Sequence, residues 1–280
     1  MISGGTLWTL SLRLSPKFGP ALKLLPHSRR LSCSPNHLLR PLRLCGAIDG
    51  PLTDETLADC DLLLLALAPR SVVGWVQEHA KGIASKTVVI DLCGIKRAVC
   101  RELAPLARQH GFTYVGGHPM AGLERSRFVN AQPDLFTGSS MLLMKGPDTD
   151  IQLLDRLKAF FTDVGFASLT FTTPEEHDRI IAYTSQLAHV VSSAYVRSPE
   201  ALERRGFSAG SFRDMTRVAR LDEILWTELL MDNRDFLVGQ IETLIDNLNG
   251  YLDALKSDDA ERLKALLKEG REKKAQAGGN

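Results

Sequence analysis

Five short apolar runs separated by amphipathic stretches dominate residues 61–171. The first, DLLLLALAP (61–69), is apolar without alternation and closes on a proline, as expected of a strand buried on both faces of a parallel sheet. KTVVID (86–91), FTYVGG (112–117) and SSMLLMK (139–145) predict three more strands, and FASLTF (166–171) a last one at a sheet edge. The segments between them predict helices: a short one from Thr53 to about Ala58, one capped by Ser71 and running to His79, one over 96–109 and one over 150–164. Strands alternating with helices over short connections define an α/β class, a doubly wound Rossmann-type sheet.

At Thr173-Pro174-Glu175-Glu176 the pattern changes to a strong helix start with proline in the first turn. Helical spacing then predicts elements over 174–196, 211–219, 222–256 and 258–270, with the last ten residues frayed and solvated. The chain thus divides into an atypical segment (1–45), a Rossmann-type domain (46–172) and an all-helical domain (173–280).

Composition narrows the function without naming it. Formal net charge is +1, so no overall field recruits nucleic acid or an anionic membrane. No apolar run is long enough to span a bilayer. The five cysteines show neither a C-x-x-C pair nor zinc spacing, which predicts reduced thiols, a cytoplasmic setting and no metal site. Charge is uneven, however: seven of the 34 basic residues and none of the 33 acidic ones precede residue 49.

Open α/β sheets bind ligands beyond the carboxyl ends of their strands. Three features are predicted there: Ala68-Pro69, Asp91-Leu92-Cys93-Gly94, and the loop Gly116-Gly117-His118-Pro119. A neutral imidazole in a stiffened loop can accept a proton at neutral pH; a plain surface histidine would read the same way. In the helical part, Ser185 and His189 share a helix face at i, i+4, as a polar patch or a substrate contact. His177 and His189 lie about 120° apart around a helix, a poor pair of metal ligands. In SFRDMTRVA, Arg213 and Arg217 flank Asp214 as a small cationic clamp suited to a carboxylate, or as an ordinary solvated face.

Together, VVIDLCGIKRAV (88–99), VGGHPMAGLERS (115–126), EEHDRIIAYTSQLAHVVSSA (175–194) and SFRDMTRVARLDEILWTELLMDN (211–233) closely resemble the prephenate dehydrogenase family. The resemblance implies NAD-dependent oxidative decarboxylation of prephenate to 4-hydroxyphenylpyruvate in tyrosine biosynthesis, NADP not being excluded. It implies His118 as catalytic base and Arg217 as the carboxylate-binding arginine, with Arg213, Asp214, Ser185 and His189 shaping the substrate site. Ala68, Pro69, Asp91, Cys93 and Gly94 would border the cofactor. It further implies a homodimer formed through the helical domain. Arogenate as substrate, or a non-catalytic anion-binding relative, are the alternatives.

Two departures stand out. The family's D-x-G-S-x-K motif reads Asp91-Leu92-Cys93-Gly94-Ile95-Lys96, so Gly94 replaces a serine that would orient His118. Residues 1–45 also hold no G-x-G-x-x-G and no acid to grip a ribose. A reading-frame artefact, a targeting segment, or a variant without nicotinamide binding would each give such a start, and the first and last would leave a raw sheet edge.

Overall fold

A computed structural model describes residues 8–12, 30–32, 49–122, 130, 132, 134–146, 149–207 and 209–278. Its strands are β1 (Trp8–Leu12), β2 (Arg30–Ser32), β3 (Gly50–Pro51), β4 (Leu62–Ala66), β5 (Val88–Asp91), β6 (Thr113–Pro119), β7 (Ser140–Met144) and β8 (Ser168–Thr172). They form one sheet in the order β3-β2-β1-β4-β5-β6-β7-β8.

The strand side chains alternate between two cores. Leu63, Leu65 and Val89 meet Leu57 of the short helix α1 (Asp54–Leu57), Val72 and Val76 of α2 (Pro69–His79) and Val99 and Leu103 of α3 (Arg97–His110). On the other face Leu62, Ile90, Val115 and Leu143 pack on Leu157 and Phe160 of α4 (Ile151–Val164). Each such buried side chain is worth about 1.5–3 kcal/mol. Uninterrupted apolar strands are required because helices cover both faces.

Several expectations need correction. Ser71 does not cap α2: Ala68 is the N-cap and Pro69 opens the helix, where a missing N–H costs nothing. The strand carrying His118 runs on to Pro119, because Gly117–Pro119 pair antiparallel with Met141–Leu143; His118 therefore sits on a strand, not a loop. The C-terminal helix continues to Ala277, through residues read as frayed, since Glu, Lys, Gln and Ala are good helix formers. Finally, β4 has no raw edge. Trp8–Leu12 pairs along it, but antiparallel, with Trp8 opposite Ala66 and Leu12 opposite Leu62.

The helical part comprises α5 (Pro174–Ile181), a π-helical stretch (Ala182–Leu187), α6 (Ala188–Tyr195), α7 (Glu200–Glu203), α8 (Gly210–Thr216), α9 (Glu223–Asp232), α10 (Arg234–Lys256) and α11 (Ala260–Ala277). A single helix over 222–256 is expected from sequence; the chain instead breaks at Asn233, whose fully buried side chain joins the two parts of the molecule.

Candidate active site

His118 lies at the carboxyl end of β6, on a backbone with no slack. A Cβ on Gly117 would stand 2.8 Å from the Asp91 carbonyl oxygen, and one on Gly116 2.8 Å from Met144 Cγ and 2.9 Å from Cys100 Sγ. Only glycines admit so close an approach.

The imidazole is the outer member of a three-group chain. His118 Nδ1 is 2.8 Å from His177 Nε2, and His177 Nδ1 is 2.7 Å from Asp178 Oδ1. An ionised carboxylate only accepts, so His177 carries its proton on Nδ1. His177 Nε2 then accepts from His118 Nδ1–H, which leaves the lone pair of His118 on Nε2. That nitrogen faces Gly94, where an added Cβ would lie 4.0 Å away.

Burial pushes the His118 pKa down to about 3, with His177 and Lys96 adding to the effect. Burial lowers His177 as well, against the pull of Asp178. For Asp178 burial alone would act upward; the His177 ring and the Arg97 and Lys96 amides outweigh it and hold the carboxyl below its ordinary value. Those amides, 2.8 Å from Oδ1 and Oδ2, open α3, so Asp178 also meets the positive end of a helix dipole. The neutral base is thus backed by a fixed negative charge.

Beneath the strand lies a buried ion pair. Lys96 Nζ donates to Asp91 Oδ1 and, at 2.6 Å, to the Gly117 carbonyl; Tyr114 donates its hydroxyl to Asp91 Oδ2 at 2.7 Å. Both charged side chains are fully buried, a situation tolerated only with such complete pairing. Asp91 therefore builds the floor of the site, its carboxylate taken up by Lys96, Tyr114 and the Cys93 amide. Cys93 is buried too, its thiol directed at the Leu67 carbonyl.

The helical part is clamped on by side chains. Arg97 grips both carboxylate oxygens of Asp235 at 2.5 and 2.7 Å and donates to Asn233 Oδ1 at 2.9 Å. Asn233 in turn donates to the Asp178 carbonyl and to Gln186 Oε1. The break between α9 and α10 exists to admit this amide. Gln186 lies in the π-helical stretch, a distortion frequent at functional sites.

The other expected residues are placed as follows. His189 Nδ1 donates to the Ser185 carbonyl at 2.8 Å, and its ring lies 4.1 Å from that of Trp226, leaving Nε2 as acceptor. Arg213 and Asp214 are exposed and face each other at 3.8 Å. Arg217, also exposed, caps the C-terminus of α8. The N-terminus of α2, bordered by Ala68 and Pro69, already holds a carboxylate: Glu228 Oε1 accepts from the Arg70 amide at 2.6 Å. His177, Asp178, Lys96, Tyr114 and Asn233 are absent from the sequence-derived site. The available signal was polar residues on an apolar stripe, since His177 and Asp178 precede buried Ile181 by four and three positions.

A dinucleotide fits only part of this edge. The ends of β4, β5 and β6 offer a border for a nicotinamide. The pyrophosphate cradle, however, needs a glycine turn leaving the first strand at the carboxyl edge. Antiparallel β1 leaves the sheet at Leu12, beside Leu62, at the opposite edge.

Sheet, helical appendage and base-bearing strand end place the chain among Rossmann-type proteins with a helical second domain. The chain belongs to the prephenate dehydrogenase family: residues 35–169 match its nucleotide-binding domain and 173–269 its dimerization domain. It is 29% identical to the prephenate dehydrogenase of Bacillus subtilis over 65% of this chain, a match spanning half the length of that protein. It is 25% identical to a cyclohexadienyl dehydrogenase of Zymomonas mobilis, over 77% of this chain and 74% of that protein. The crystal structure of prephenate dehydrogenase from A. aeolicus with hydroxyphenyl propionate and NAD+ superposes with a TM-score of 0.75, at 25% identity, covering 87% of each chain.

Proposed function

We propose that this chain is a dehydrogenase that oxidises prephenate with loss of its ring carboxylate, giving 4-hydroxyphenylpyruvate. The observation that carries the proposal is the unprotonated Nε2 of His118, held by His177 and Asp178 at the carboxyl edge of a Rossmann-type sheet. Bound NAD or NADP supplies the hydride acceptor for such a reaction. The chain's own residues handle the proton. The substrate hydroxyl gives its proton to His118 Nε2, and the resulting imidazolium is stabilised through His177 by the Asp178 carboxylate. General-base help of this kind is worth roughly 10²–10⁴ in rate.

The substrate's side-chain carboxylate is assigned to Arg217, with Arg213 and Asp214 beside it and Ser185 and His189 on the facing helix. A homodimer through α10 is supported by an exposed apolar stripe: Val238, Ile245 and Leu252 recur every seven residues, with Leu248 and Leu255 three residues after the latter two.

The test is reduction of NAD and of NADP measured with prephenate and with arogenate in parallel. Turnover of prephenate, reduced by orders of magnitude in His118→Asn with KM little changed, supports the proposal. The antiparallel β1 favours one rival, a relative that keeps the anion site and binds no dinucleotide. Substrate binding by calorimetry without any NAD or NADP binding decides for that rival.

A further inference from the structure

Arg97 opens α3 and reaches two carboxylates that lie on different helices. Its main-chain N–H donates to Asp178 Oδ2 of α5 at 2.8 Å, and its Nε lies 3.4 Å from the same oxygen. The two terminal nitrogens turn outward to Asp235 in the first turn of α10, in the parallel fork that binds a carboxylate most firmly. The guanidinium also lies 4.2 Å over the Phe236 ring, which adds a further hold. One cation is thus shared between an inner carboxylate that is 1% exposed and an outer one that is 58% exposed.

The sharing matters because the inner carboxylate is the one that backs the base. Asp178 Oδ1 accepts from His177 Nδ1, and His177 Nε2 meets His118 Nδ1. A positive charge beside Asp178 competes with the imidazolium that forms on His118 for one and the same negative charge. A negative charge at Asp235 takes up part of that competition.

The other ionisable groups around the chain are matched or neutral. The Lys96 ammonium is paired with Asp91 of β5, and Arg101, one turn further along α3, faces Glu102. Burial raises the Tyr114 hydroxyl of β6 and the Cys93 and Cys100 thiols, so all three stay uncharged at neutral pH. Glu228 of α9 is turned to the Arg70 amide, Glu176 of α5 holds the Thr172 hydroxyl, and Arg234 of α10 donates to the Met231 carbonyl. Among these groups only Arg97 both touches Asp178 through its side chain and is balanced by a solvent-exposed partner.

We propose that Arg97 is a positioning residue for the proton-accepting chain, and that its pair with Asp235 sets how firmly Asp178 backs the His118 imidazolium. The proposal rests on His118 being the base of the reaction proposed above. A plain clamp between sheet and helices would respond alike to the loss of either partner. A charge balance responds in opposite senses. Arg97→Met leaves Asp178 wholly to the imidazoles, whereas Asp235→Asn leaves the full guanidinium charge on Asp178.

The first readout is the low-field proton resonance of His177 Nδ1–H in the free, full-length chain, which moves downfield as its bond to Asp178 strengthens. The second is the acid limb of the kcat profile with prephenate. In Arg97→Met the proton should move downfield and the limb rise by about half a pH unit; in Asp235→Asn the proton should move upfield and the limb fall by a similar amount. Arg97→Lys keeps the charge and gives up the fork, and should hold both readouts near the parent values. Asp235 is exposed, so its variant carries the test alone should Arg97→Met, which takes a donor from Asn233 Oδ1, disturb folding. Shifts of the same sense in the Met and Asn variants overturn the proposal, as does an Asp235→Asn resonance that stays in place or moves downfield. Resonance shifts as described in a chain that turns over neither prephenate nor arogenate refute the reaction and leave the charge balance standing.

Discussion

His118 and His177 come from different parts of the molecule, a strand end and the first helix of the helical part, yet their ring nitrogens meet at 2.8 Å. The contact fixes which nitrogen of His118 holds the lone pair. His177→Ala should therefore lower kcat by about 10–100-fold, within the range of general-base effects, with KM changed by less than about threefold. The pH profile of kcat should shift as well, because His118 loses its charged backing. An unchanged kcat and profile would reduce His177 to a packing residue.

Gly94 leaves the approach to His118 open. A serine there would bring its hydroxyl within hydrogen-bond reach of Nε2, because the added Cβ lies 4.0 Å from that atom. Gly94→Ser is expected to raise kcat severalfold. Gly94→Val, whose second methyl fills the space toward Leu229, should lower kcat/KM by at least about tenfold. Steady-state kinetics on the pair separates orientation from obstruction.

The joint between sheet and helices should be far more sensitive at Asn233 than at Asp235. Asn233→Ala strands the buried Asp178 carbonyl and Gln186 Oε1, a cost of roughly 2–4 kcal/mol. The Asp235 side chain is 58% exposed, so Asp235→Asn should cost no more than about 1 kcal/mol. Urea unfolding of the two variants tests the ranking.

Stability should fall on the acid side of neutrality. The His118 pKa drops from an ordinary 6.5 to about 3 on folding, so its contribution is complete above about pH 6.5 and is lost as pH falls toward 3. Below pH 6.5 the unfolded chain binds the extra proton, and each such proton steepens the decline by about 1.4 kcal/mol per pH unit. His177, shifted the same way, adds to it. In His118→Asn the slope of unfolding free energy between pH 6.5 and 4.5 should flatten by about one proton's worth.

Much of this was legible in the sequence because it depended on local pattern. Unbroken apolar runs such as Leu62–Leu65 announced a sheet covered on both faces, and the Gly-Gly-His-Pro stretch announced a constrained imidazole. What escaped depended on partners distant along the chain. Lys96 reads as the polar start of a helix until Asp91 and Gly117 are seen around it. Asn233 looks like one more residue of an amphipathic helix until the Asp178 carbonyl and Gln186 claim its amide. β1 escaped altogether, since no strand is legible in the pattern before residue 61; its direction would have escaped in any case, because a strand's pattern of side chains reads the same in either sense and only the ladder with β4 fixes it.

That ladder has a practical side. Main-chain hydrogen bonds ask for an extended segment and little else, so the margin of β4 takes a strand running against the usual sense as a plug. The scaffold downstream of Asp49 should accept an unrelated short peptide there, offered even as a separate molecule. This makes the seam between β1 and β4 a natural place to split the protein and rebuild it from two pieces.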